Sequence, residues 1–108
     1  MNDAAFSTSA ANRVRGSSFY AAMRIMPRVQ REAMYEIYAF CRDVDDVADG
    51  GEPAERRRAE LAQWRGDVMA LYDGRPPDRL AGLAVPVARF GLKRDDFLAI
   101  IEIGRAHV

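Results

Sequence analysis

The chain of 108 residues balances 16 basic against 16 acidic side chains, so no net field favours nucleic acid or an anionic surface. Its length fits one domain or a piece of one, and its single cysteine, Cys41, excludes an internal disulfide and fits a reducing, cytoplasmic compartment. No apolar run is long enough to span a bilayer, and the N-terminus lacks the basic-then-apolar pattern of a signal peptide; a peripheral membrane contact stays open.

Residues 1–15 are small and polar and are expected to form a flexible lead-in. In GSSFYAAMRIM, Ser17 or Ser18 suits an N-cap, and Phe19, Met23 and Met26 follow at helical spacing. Pro27 stops that helix and opens the next at its first position. The second helix, about 28–48, carries an apolar stripe of Met34, Ile37, Cys41, Val44 and Ala48, which reads as core. DGGEP breaks the chain, and Pro53 starts a third helix over about 54–72. That helix is charged on one side, where ERRRAE reads as solvated surface, and carries Leu61, Trp64, Val68 and Leu71 on the other. DGRPPD breaks the chain again. Pro86 within RLAGLAVPVARFG predicts a kink or stop near Val85, and KRDDFLAII starts a last helix. Strand-like alternation is missing throughout, so the fold class is all-α.

The chemistry concentrates at the end of the second helix. Asp43, Asp45, Asp46 and Asp49 crowd its C-terminal turns, where the helix macrodipole is negative and each carboxylate costs a few tenths of a kcal/mol, up to ~1. A cation is expected among them. Tyr38, Arg42, Asp45 and Asp49, spaced four, three and four, share one face. Such a strip could hold a hard cation such as magnesium, which takes one or two carboxylates and completes its shell with water and phosphate. Arg42 and the Tyr38 hydroxyl could then meet the phosphate oxygens. The bland reading stands beside it: an Asp-x-x-x-Asp pair is more often a solvated helix face. On that reading Arg42 merely pairs with Asp46, Tyr38 is a core aromatic with a wet tip, and Cys41 is core. His107, the only histidine, sits next to the chain end and is not expected to act in catalysis.

SSFYAAMRIMP, YEIYAFCRDVDDVADG and FGLKRDDFLAII together resemble the squalene/phytoene synthase family, the head-to-head trans-prenyltransferases. GSSFYAAMR and ALYDGRPPDRLAGLAVPVARFGL are most similar to its bacterial hopanoid-pathway branch. The resemblance runs from Arg15 to Ile101 and implies the N-terminal helices of an isoprenoid synthase-type bundle with a deep apolar cavity. It implies that DDVAD is the first aspartate-rich motif, with Asp45 and Asp49 as magnesium ligands and Asp46 as a supporting carboxylate. Tyr38 and Arg42 match positions that meet substrate diphosphate, and Ser18 matches a small hydroxyl near the second diphosphate. Phe19 and Met23 fall where the prenyl channel is lined, while Asp43 is taken as surface. The implied reaction joins two molecules of farnesyl diphosphate head to head, giving presqualene diphosphate; squalene or phytoene synthesis are its rivals. No obligate protein partner is evident.

A reading from another class is a non-catalytic helical module whose acidic cluster binds calcium or a basic partner, although the glycine-turned loop of a calcium hand is missing. The tail departs from the family pattern. Ile103 to Val108 can be encoded by ATC GGA AGA GCA CAC GTC, the start of a common sequencing adapter, so residues 103–108 are expected to be non-native. With the family's later helices absent, the apolar faces of the second and third helices are expected to lack most of their partners.

Overall fold

Two prolines set the frame. Pro27 and Pro53 stand at the caps of the two long helices with φ of −52° and −55° and ψ of 146° and 148°. Each is the cap residue itself rather than the first helical position. Their missing N–H groups fall before the helix, where none is needed, and their carbonyls accept Arg31 N at 2.8 Å and Arg57 N at 3.0 Å.

The structure, a computed structural model, describes residues 20–108; the lead-in over 1–15, the cap at Ser17 or Ser18, and Phe19 lie outside the described residues. In chain order these form α1 (Tyr20–Arg24), α2 (Arg28–Ala48), α3 (Ala54–Tyr72), a 3-10 segment (Asp78–Leu83), α4 (Ala84–Phe90) and α5 (Arg94–Ala106). Among the described residues there is no strand, and no helix is long and apolar enough to cross a membrane. The fold class is all-α.

Helix α3 buries the four residues that its periodicity singles out, Leu61, Trp64, Val68 and Leu71. They meet Phe40 and Val44 of α2, Leu80 and Leu83 of the 3-10 segment, and Phe97 and Ile101 of α5 in one cluster. Phe40 is its hub, edge-on to Trp64 at 5.7 Å and to Phe97 at 5.1 Å between ring centroids. Burying each such side chain contributes about 1.5–3 kcal/mol. The inner faces of α2 and α3 are therefore covered, contrary to the expectation from sequence, because α5 and the 3-10 segment pack against both.

The stripe expected to be the α2 core holds at Val44 and Ala48, and in part at Ile37 and Cys41, but needs correction at Met34. Its buried residues are Ala33, Tyr35, Glu36, Phe40, Val44 and Ala48, whereas Met34 is 37% exposed and Ile37 and Cys41 are half-buried. Helix α2 is apolar on two sides. Phe40, Val44 and Ala48 face the core; Ile37 and Cys41 pack against it while also lining, with Met34, the side towards α1.

Pro86 occupies the first turn of α4, where its absent N–H breaks no helical hydrogen bond, and the 3-10 segment gives way to α4 between Leu83 and Ala84, just before Val85. Two glycines with left-handed backbone end helices: Gly74 after α3 (φ 81°) and Gly91 after α4 (φ 63°). The Tyr72 hydroxyl donates to Leu92 O at 2.8 Å, tying the end of α3 to the turn before α5. Helix α5 opens with Asp95 and Asp96 in its first turn, where the macrodipole favours carboxylates. It runs through Ala106, and Gly104 is buried beside Val44 and Ala48 of α2.

Candidate functional site

The site lies along one helix. Met34, Ile37, Tyr38 and Cys41 of α2, with Ala22 and Met23 of α1 and Met26 after it, line an apolar groove of about 290 Å³. Met23 is buried against Tyr35, which stacks on Tyr20 with centroids 6.3 Å apart. The polar stripe begins where the groove ends. Tyr38 belongs to both, and Arg42, Asp45 and Asp49 continue from it towards the C-terminus of α2. At a rise of about 1.5 Å per residue the strip from Tyr38 to Asp49 is about 16 Å long.

Along this strip Tyr38 is half-buried, while Arg42, Asp45, Asp46 and Asp49 are exposed. Asp43, expected at the surface, is half-buried instead. Arg42 does approach Asp46, at 3.8 Å, but both side chains are more than half exposed, so the pair contributes at most about 1 kcal/mol. The groove side of α2 carries Cys41, whose thiol is pushed above its ordinary range by burial and, secondly, by the charge of Asp45. It therefore stays protonated near neutrality and is a groove wall rather than a nucleophile. Ser18 and Phe19 lie outside the described residues. Among the described residues no group of three or more histidine, cysteine or acidic side chains is gathered so that it could hold a metal ion.

The end of α2 does hold a cation, and sequence reading missed it. Arg57, inside the ERRRAE run read as solvated surface, is half-buried. Its guanidinium donates from Nη1 to Ala48 O at 2.8 Å and from Nε to Glu52 O at 2.7 Å. Its neighbour Arg56 only pairs with Glu52 at 3.4 Å in solvent. Spacing alone sets Arg57 apart, four residues before Leu61 on the line of the buried stripe; what it bonds there depends on how the turn 49–53 folds back.

An apolar groove leading into an arginine and acidic strip suits an amphiphile with an anionic head. The family model described as squalene/phytoene synthase matches residues 12–106. The chain is 63% identical over 87 residues to presqualene diphosphate synthase of Rhodopseudomonas palustris, covering 81% of this chain and 31% of the relative. It is 56% identical over 87 residues to the presqualene diphosphate synthase of Sinorhizobium fredii, with the same shares covered. Over 86 residues it is 33% identical to 15-cis-phytoene synthase of Synechococcus elongatus, covering 79% of this chain and 28% of that protein. The chain thus spans under a third of the length of these relatives. No solved structure matches it. The family-model match and the similarity over most of the chain, with the all-helical architecture, agree: the chain belongs to the squalene/phytoene synthase family.

Proposed function

We propose that these residues form the N-terminal part of a longer prenyltransferase that condenses two molecules of farnesyl diphosphate head to head into presqualene diphosphate, releasing diphosphate. The observation that carries this is the continuity of groove and strip on α2, with Tyr38 in both. A prenyl chain lies along Met23, Met26, Met34 and Ile37, and its diphosphate meets Tyr38 and Arg42. Identity above 50% to presqualene diphosphate synthases supports the choice of product.

Asp45 and Asp49, assisted by Asp46, are the residues that would hold magnesium. A pair of exposed carboxylates fits that ion, which keeps open positions for water and substrate phosphate rather than needing an all-protein cage. When bound it supplies electrostatic stabilisation to the departing diphosphate. In the reaction, the C–O bond of one farnesyl diphosphate breaks with its electron pair leaving on diphosphate. Arg42 offers a planar fork of donors to the oxygens where that charge develops. The double bond of the second molecule closes on the freed carbon, and loss of a proton completes a cyclopropane. The apolar groove keeps water from the allylic cation and holds the chain in place; by family resemblance, Phe19 belongs to the prenyl channel and Ser18 is a small hydroxyl near the second diphosphate.

Product analysis of the full-length protein with farnesyl diphosphate tests the proposal. Presqualene diphosphate is expected whether or not a nicotinamide reductant is present. Squalene formed with the reductant, or no condensation at all, would overturn the assignment.

A further inference from the structure

The last four carbonyls of a helix have no intrahelical partner, and in α2 they lie among the aspartates. Asp45 O accepts the Asp49 N–H at 2.8 Å and Val47 O accepts Gly50 N–H at 3.3 Å. Ala48 O accepts Arg57, whose other prong holds Glu52 O. One guanidinium thus bridges the residue before Asp49 to the residue three beyond it. Arg57 is itself fixed on the first turn of α3, its N–H bonded to Pro53 O at 3.0 Å. The turn is close-packed: a Cβ at Gly50 would sit 2.9 Å from Asp46 O. The charge is placed where the α2 macrodipole is negative.

We infer that Arg57 is a positioning residue for the aspartate-rich end of α2, clamping the Ala48 and Glu52 carbonyls so that Asp49 is held one turn from Asp45, ready to share a divalent cation. The inference rests on the proposed function for the identity of that cation. Two effects of Arg57 on the cation oppose each other. A guanidinium near the carboxylates repels a second positive charge, whereas a fixed turn preorganises its ligands. Loss of an outer-shell partner typically weakens metal binding by about 10–100-fold; Arg57 acts one step further out, through the backbone carbonyls on either side of Asp49, and we take the ordering effect as the larger.

The test uses the full-length protein and its Arg57→Lys, Arg57→Gln and Arg58→Gln variants. Magnesium is titrated calorimetrically with farnesyl thiodiphosphate present, and amide hydrogen exchange is followed at Asp49 and Gly50. Lysine keeps the charge but cannot bridge two carbonyls in one plane. Both Arg57 variants are expected to bind magnesium about tenfold more weakly and to exchange the Asp49 amide faster, with unchanged thermal midpoints for the rest of the fold. Arg58→Gln, at the exposed neighbour, is expected to match the parent. Parent-like affinity and exchange in both Arg57 variants would overturn the inference alone. Tighter binding in Arg57→Gln with Arg57→Lys unchanged would also overturn it, leaving only a charge effect. A parent protein that binds no magnesium would instead sink the proposed function, and the inference with it.

Discussion

At the scale of single residues, activity and stability separate cleanly along α2. Asp45 and Asp49 are exposed, so Asp45→Asn or Asp49→Asn leaves the fold intact while lowering turnover of the full-length protein by roughly a hundredfold, the usual loss for one electrostatic stabiliser. Asp43→Asn acts on a half-buried side chain outside the strip, so it is expected to lower the denaturation midpoint more than the rate. Steady-state rates beside melting curves decide this; equal turnover in all three variants at saturating magnesium would sink the assignment. Arg42→Lys keeps the weak, exposed pairing to Asp46 yet is expected to slow the reaction about tenfold or more, because a charge-assisted hydrogen bond is worth about 1.5–3 kcal/mol. A lysine variant with parental rate would reduce Arg42 to a partner of Asp46. For Cys41, burial and then Asp45 raise the thiol's pKa, so the native protein is alkylated slowly at neutral pH and faster only as pH rises past the ordinary thiol range. Asp45→Asn removes the second cause, and the alkylation profile is expected to move to lower pH.

At the scale of elements, the 3-10 segment holds α2 and α3 together at their flanks. Arg79 lies 3.6 Å over the Trp64 ring and pairs with Asp67 at 2.6 Å, joining the segment to α3. On the other side Gly82 meets the buried Glu36 of α2 so closely that an added Cβ would stand 2.6 Å from the Glu36 carboxyl carbon. An added Cβ would force the Glu36 carboxylate to move within its buried site. Gly82→Ala is expected to destabilise the full-length protein by about 1–3 kcal/mol, as overpacking does, seen as a lower urea midpoint with an unchanged slope. An unchanged midpoint would mean that Glu36 swings aside freely.

At the scale of the whole molecule, the described core is closed but the outer faces are not. Ile25 is 87% exposed and Val85 50%, and Val29, Val85 and Phe90 border a second hollow of about 190 Å³. The groove along Met34 opens to solvent as well. Expressed alone, the 108-residue chain is therefore expected to show helical circular dichroism, to bind an apolar dye through these faces and to lack prenyltransferase turnover. Condensation of farnesyl diphosphate by the isolated chain would refute this.

Periodicity alone determined that α2 and α3 exist, where their prolines and glycines bound them, and which four residues α3 buries. Those are local properties, set by the helical repeat and by backbone sterics. The polar strip from Tyr38 to Asp49 was legible for the same reason, since residues three and four apart share a helix face whatever packs around it. Only tertiary structure decided which of the two apolar sides of α2 is core. Phe40 with Val44 and Met34 with Ile37 are equally helical in spacing, yet Phe40 is buried and Met34 exposed, and the choice between them rests on how α3 and α5 pack. The same holds for Arg57. Spacing places Arg57 on the inner face of α3, four residues before Leu61, but its partners come from a turn that brings Ala48 and Glu52 within reach of one guanidinium, a juxtaposition that depends on how the chain folds back.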